Sequence, residues 1–353
     1  MESKPMLFCD TTTVLTYMEA NFRFNLALKI PSIRKAEKAA PLFINSLELY
    51  DSCLYVNRKE YKIRAYRQCQ ANVGLHKGEV FYDFDEFGYT LNLADYIEPG
   101  DVKFFGNKCR LKDYGLKNEC PEKKKISIPC NHSIRLYVSD TMYELPYKNM
   151  KIYQLMKRLL TIFIGNRRGE WIIKNFRPQD NVLRWPVETR KPIVQNFEIC
   201  TYTHNKLNGL QPIIDSSVPI PILKMSFSNG KIQDHPLFKN VEHLMICNHV
   251  STPTVSDLFS IQTPIVTLTS PATLDTFLGQ LINIFMEKPR PIGVRYSILV
   301  KKKINLNTIN HPKEIRKYKD AIRLAMGSDA IAVVRYSKRR SKTWLIIEVV
   351  AKN

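Results

Sequence analysis

Several groups of residues have types and spacings that could carry chemistry. Asp83, Asp85 and Glu86 lie in Tyr82-Asp83-Phe84-Asp85-Glu86-Phe87-Gly88. An extended run puts Asp83 and Asp85 on the face opposite Tyr82 and Phe84, where carboxylate oxygens can hold a hard cation. No EF-hand spacing is present, so the run reads as a solvated strand face. Cys109, Cys120, Cys130 and His132 supply four soft ligands, but their gaps do not form the paired CxxC knuckles that grip zinc tetrahedrally. His243, Cys247 and His249 would share one face of an extended strand, but three residues at such spacing are more often chance than a site. Gly165-Asn166-Arg167-Arg168-Gly169 matches neither the dinucleotide fingerprint nor the P-loop and reads as a helix stop and turn. No nucleophile, acid and base fall into a catalytic pattern. The expectation is therefore a non-enzymatic protein with no catalytic residue, no metal and no cofactor.

Charge offers a different kind of chemistry. The 353 residues carry 53 Lys and Arg against 33 Asp and Glu, a formal net charge of +20. The last 65 residues alone hold 16 basic and 4 acidic groups. A field of that sign attracts polyanions such as nucleic acid, acidic proteins or an anionic surface. Lys338, Arg339, Arg340 and Lys342 form its densest run and are the candidate polyanion contacts, although basic residues at a hairpin tip also protect sheet edges. No zinc finger, aromatic RRM motif or GxxG loop accompanies them.

No apolar run is long enough to span a membrane. Met1-Glu2-Ser3-Lys4-Pro5 leads into no unbroken apolar h-region, so no secretory leader is evident. The eight cysteines are accordingly expected as reduced thiols in a cytoplasmic or nuclear protein.

The elements that must position these groups can be read from periodicity. Val14, Leu15, Tyr17, Met18, Phe22, Leu26 and Ile30 recur at helical intervals up to Pro31, and Ser32 to Ala39 can form a second short helix. From Leu42 the pattern changes to turn-bounded strands: Leu47 to Tyr50, Leu54 to Val56, Tyr61 to Tyr66, Val80 to Phe84 and Tyr89 to Leu93. Asn57-Arg58-Lys59 is a hairpin connection, 106 to 130 a solvated loop, and Ser133 to Val138 another strand. Ile152 to Ile164 is an amphipathic helix with Gly165 just past its end.

Four short strands come next: Asn196 to Thr201, Ile222 to Phe227, Glu242 to Asn248 and Ile265 to Thr269. Ile199, Met225, Ile246 and Leu268 are their equivalent core positions, at spacings that fall within those of leucine-rich repeats. An ordinary parallel sheet with irregular connections would look the same. If the repeat reading holds, Tyr202, Lys224, Ser226, His243, Met245, Cys247 and Thr267 line the opposite, exposed strand face and are the candidate partner contacts. Leu274 to Met286 is then a helix, Ile292 to Val300 a strand and Pro312 to Met326 a final helix. Ile331 to Tyr336 pairs with Trp344 to Val350 in a closing hairpin across Ser337 to Lys342.

The expected fold is thus α+β: a short helical N-terminal module over 1–40, a β-rich region over 41–150, and a degenerate leucine-rich-repeat-like βα region over 151–353 that ends in a basic β-hairpin.

The N-terminal segment Pro5-Met6-Leu7, Val14-Leu15-Thr16-Tyr17-Met18, Arg23 and Ile30-Pro31-Ser32-Ile33-Arg34 resembles a divergent F-box, without its Leu-Pro start or its tryptophan. Tyr82 to Tyr89, Pro99-Gly100-Asp101-Val102, Gly165-Asn166-Arg167 and Lys288-Pro289-Arg290-Pro291-Ile292-Gly293 look like segments of a nematode-expanded family of F-box-associated proteins of uncharacterised function. The resemblance implies a Skp1-like adaptor as partner of the first forty residues, with Leu7, Leu15, Met18, Leu26 and Ile30 as contacts, and an unknown protein substrate for the remainder. It thus implies a substrate receptor of a Skp1-cullin-F-box ubiquitin ligase. The alternative reading is a nucleic-acid-associated protein acting through its basic C-terminus.

Overall fold

The computed structural model describes residues 8–68, 77–80, 82–83, 91, 96–103, 131–148, 150–179, 182–199, 208–215, 217–227, 236–249, 263–272, 278–303, 305–339 and 341–352. The fold is α+β, and the chain divides into two compact units, Met1–Gln195 with Asn208–Asp215, and Asn196–Leu207 with Ser216–Asn353. The expected boundaries at 40 and 150 both fall inside the first unit.

That unit opens with three short helices, α1 (Phe8–Thr16), α2 (Ala20–Lys29) and α3 (Arg34–Ala39), with a 3-10 turn at Pro31–Ile33 before α3. Glu19 caps α2 by accepting from the backbone N–H of Asn21 and Phe22. Among the described residues its sheet contains β1 (Leu42–Leu49), β2 (Cys53–Val56), β3 (Lys59–Gln68), β6 (Asn131–Val138), β7 (Thr141–Lys148) and β8 (Trp171–Pro178), in the order β8-β1-β2-β3-β6-β7. A further strand, β4 (Lys77–Val80), pairs with β3. β1 and β8 run parallel. The β2–β3 hairpin turns on Asn57 and Arg58, whose φ values of 49° and 71° are those of a two-residue turn matched to strand twist.

Helix α4 (Ile152–Phe163) lies where its apolar spacing puts it. Its Phe163 ring stacks on Phe24 of α2 at 4.4 Å and meets Tyr61 of β3 edge-on at 5.0 Å. Tyr61 in turn donates to Asn21, which donates to the Val56 carbonyl. A single aromatic cluster therefore joins two helices to the sheet. Two short strands, β5 (Val102–Lys103) and β9 (Val182–Leu183), pair separately.

The second unit takes up β10 (Ile193–Ile199) from Asn196 onward, and β10, β11 (Ile220–Phe227), β12 (Val241–His249), β13 (Ile265–Ala272) and β14 (Arg295–Val300) run parallel. Their register aligns Ile199, Met225, Ile246 and Leu268 directly, and Ile298 of β14 extends the row. All five are buried. A helix at Leu278–Glu287 packs its Phe285 against Tyr296, which lies on the same sheet face as this row.

The end of the chain differs from expectation. Pro312 to Met326 is not a helix but the strands β15 (Glu314–Tyr318) and β16 (Ala321–Met326), which continue the sheet antiparallel through β17 (Ala330–Arg339) and β18 (Lys342–Ala351) to β14. Helix formers dominate the segment, yet Ile322, Leu324 and Met326 alternate at strand period and bury against Val334, Ala332 and Ala330. Tertiary pairing overrides local propensity here. Among the described residues no helix is long and apolar enough to cross a membrane.

Candidate interaction surfaces

The helical module separates its apolar residues into two groups. Leu15 is 1% exposed and clusters with Ala36 and Ala40, while Met18, Leu26 and Ile33 pack against that cluster. Three of the expected adaptor contacts, Leu15, Met18 and Leu26, thus hold the helices to one another. Ile30 stays 44% exposed, and Leu7 lies outside the described residues. The large apolar groups that do reach solvent are Phe8, Val14, Tyr17 at 86% and Phe22 at 54%. Helical periodicity finds an apolar stripe without saying whether a neighbour in the same chain covers it.

The strand face expected to meet a partner forms a ladder. Glu198, Lys224, Met245, Thr267 and Ser297 occupy one row across β10 to β14. Asn196, Ile222, His243, Ile265 and Arg295 occupy the next. Lys224, Ser226, His243, Met245 and Cys247 are half-buried, but Thr267 is buried, correcting its placement as an exposed contact. The His243 ring Nε2 lies 2.9 Å from Thr267 Oγ1, so Thr267 orients the imidazole. Burial, helped by the charge of Arg295, holds His243 below the usual histidine range, so the ring is neutral near pH 7. Tyr202 lies outside the described residues.

At the basic hairpin β17 extends to Arg339 and β18 begins at Lys342, which pair directly. Lys338, Arg339 and Lys342 are exposed on strands rather than carried on a loop, and Ser341 makes the turn at φ 65°. Arg340 lies outside the described residues.

Among the described residues no cluster of three or more His, Cys, Asp and Glu could hold a metal ion. His132 sits on β6, buried, with Nε2 3.1 Å from the Met150 carbonyl. Cys109, Cys120, Cys130, Asp85 and Glu86 lie outside the described residues. Asp83 is not on a solvated strand face. It is 3% exposed, and its carboxylate accepts from the backbone N–H of Ile152 and Tyr153, capping α4 from 69 residues away. An anion at that position satisfies orphan donors and meets the positive end of the helix dipole.

The glycine-bearing motifs prove equally structural. After α4, Asn166 takes φ 54° and turns the chain, and Arg167 enters the core to bond the Glu37 carboxylate and the carbonyls of Glu37 and Ala40. Gly169 lies so close behind that a Cβ there would meet the Ala39 carbonyl at 2.5 Å. At Pro99-Gly100-Asp101-Val102, Gly100 takes φ 90° and the buried Asp101 accepts from Lys157 at 2.5 Å and Arg184 at 2.6 Å. Sequence reasoning missed both buried ion groups because their members are far apart in the chain.

A family model described as a domain of unknown function (DUF3557) matches residues 151–302, from the start of α4 to just past β14. Neither a curated protein nor a solved structure matches the chain.

Proposed function

We propose that the protein is a non-enzymatic interaction protein, a substrate receptor that docks on a Skp1-like adaptor through its N-terminal helices and takes a protein substrate on the strand face of its second unit. The observation that carries this reading is the division of apolar residues in the helical module. The helices close on Leu15 and Ala36, yet Phe8, Tyr17 and Phe22 remain in water. Large apolar groups left exposed beside a completed core are what a partner surface needs. Adaptor contact thereby moves from Leu15, Met18 and Leu26 to Phe8, Tyr17 and Phe22, with Ile30 retained.

For the substrate, Lys224, Met245 and Cys247 offer a charge, a flexible thioether and a small polarizable group in adjacent rows, over a rigid parallel sheet. The in-register row of Ile199, Met225, Ile246 and Leu268 supports a degenerate leucine-rich-repeat-like origin for these strands. Cys9, Cys53 and Cys247 stand outside any disulfide, in keeping with a cytoplasmic or nuclear protein.

The test is retention of the full chain on an immobilised Skp1-type adaptor. The wild type should be retained and the Tyr17→Asp/Phe22→Asp variant should not. Retention of both, or of neither while both are folded, contradicts the reading.

A further inference from the structure

The strands that replace the expected C-terminal helix assemble a surface invisible in the sequence. In β15 the register shifts between Glu314 and Arg316. The irregularity leaves Glu314 paired with Leu324 of the buried face and 3.1 Å from Lys317, and sends Arg316 and Tyr318 to the opposite face. There Arg316 stands opposite Arg323, and Tyr318 opposite Ala321. The guanidinium carbons of Arg316 and Arg323 lie 4.9 Å and 5.9 Å from the Tyr318 ring centre. Arg335 stands beside Ala321 on the same face, and Arg339 lies four residues further along β17.

Two like charges are thus drawn to one ring, and among the described residues neither Arg316 nor Arg323 has a carboxylate partner. Nearby acids are committed elsewhere: Glu348 to Arg335 at 2.8 Å, and Asp320 to Lys303 at 3.4 Å. Tyr318 is 39% exposed, and both arginines are exposed. Convergence of like charge at a surface is unfavourable until an anion joins it.

We propose that this face of β15–β17, centred on Arg316, Tyr318 and Arg323, binds single-stranded nucleic acid. The chemistry favours that ligand over an acidic peptide. The cations around the Tyr318 ring, Arg316, Arg323 and the nearby Arg335, are all arginine, whose planar fork matches phosphate and stacks on bases, whereas a carboxylate chain is served equally by lysine. An exposed aromatic on an open sheet gives a base a surface to stack on, and the flanking guanidinium groups take the phosphates. The proposal is independent of the adaptor reading, since it uses neither the N-terminal helices nor the parallel strands.

The experiment is fluorescence anisotropy of a labelled mixed-sequence 20-nucleotide single strand with the full chain, across a salt series. Binding should weaken with salt, with a log–log slope falling by about 0.7 for each phosphate contact removed. Arg316→Glu/Arg323→Glu should weaken binding about tenfold or more and flatten the slope by about 1.4. Lys301→Glu/Lys302→Glu, the same change in net charge at exposed sites elsewhere, should cost about twofold at most by the non-specific field alone. Tyr318→Ala should weaken the oligonucleotide and leave polyglutamate unaffected. Thermal melts confirm that each variant is folded. No binding by the wild type, or equal loss in the two charge reversals, overturns the proposal. Polyglutamate binding as tightly, with the same losses and no effect of Tyr318→Ala, overturns it in favour of an acidic protein ligand.

Discussion

Arg167 Nη2 lies 2.5 Å from Glu37 Oε1, and both side chains are completely shielded from solvent. Arg23 joins the same carboxylate at 3.0 Å and Lys38 at 3.3 Å. One carboxylate faces three cations, so the remaining positive charge must be met otherwise. It is met by carbonyls at helix ends. Arg23 and Arg167 donate to Glu37 and Ala40 at the end of α3, and Lys38 donates to Ile162 at the end of α4. The negative ends of two helix dipoles thus complete the group. Against burial that would raise it, Arg167, Lys38 and Arg23 together hold the Glu37 carboxyl below the usual range.

Removing the shared carboxylate is the most damaging single change expected in the first unit. Glu37→Ala leaves Arg23 and Arg167 buried without their anion, a loss of about 3–5 kcal/mol. Urea denaturation should show a large fall in the midpoint. A fall no greater than that of an exposed substitution such as Glu188→Ala would show that the helix carbonyls alone neutralise the arginines.

The same group makes stability depend on alkaline pH. Burial, opposed by Glu37 and reinforced by Arg167 and Arg23, brings the Lys38 ammonium down to about 7. An unfolded lysine titrates near ~10.4. Between those values the unfolded chain binds more protons than the folded one, so stability rises with pH, by up to about 1.4 kcal/mol per unit. Arg23, brought down to about 10, adds to the rise only above that pH. Urea midpoints measured from pH 7 to 9.5 should increase, and Lys38→Met should remove most of the increase. An unchanged slope in that variant would assign the effect to other groups.

Two backbone features should show how tightly the turn after α4 and the start of α4 are held. Gly169→Ala drives a methyl into the Ala39 and Ala40 carbonyls at 2.5 and 2.7 Å, and overpacking against backbone costs about 1–3 kcal/mol. Asp83→Ala removes the cap on Ile152 and Tyr153, at a cost of about 0.5–2 kcal/mol. Gly279→Ala, in a helix where a Cβ meets nothing within 4 Å, should instead be neutral or stabilising. Thermal melts of the three variants check this order.

How far these features are legible in the sequence depends on the range of the forces that make them. The parallel strands are readable because burial of one sheet face selects the same kind of residue at each equivalent position, as Ile199, Met225, Ile246 and Leu268 show. The α4 helix is readable from its own periodicity. The β15–β16 hairpin is not, because Glu314 to Met326 is rich in helix formers and only its pairing with β17 makes it strand. The Arg316–Tyr318–Arg323 surface is hidden for the same reason. Burial of Leu15 rather than Tyr17 depends on Ala36 and Ala40, and the role of Arg167 depends on Glu37, 130 residues away. The segments at Tyr82 to Tyr89, Pro99 to Val102, Gly165 to Arg167 and Lys288 to Gly293 include Asp83, Gly100, Arg167 and Gly293, each of which caps, turns or locks the chain. They report the fold more directly than a site.

On the proposed reading, the exposed apolar residues of the N-terminal helices dock the adaptor and the strand face of the second unit does not take part. Calorimetric titration of a purified Skp1-type adaptor into the full chain tests it most directly. One-to-one binding at about micromolar affinity or better is expected, weakened about tenfold or more by Tyr17→Asp/Phe22→Asp and unchanged by Lys224→Glu/Met245→Asp. No heat of binding with folded wild-type protein, or equal affinity for the wild type and the Tyr17→Asp/Phe22→Asp variant, would contradict it.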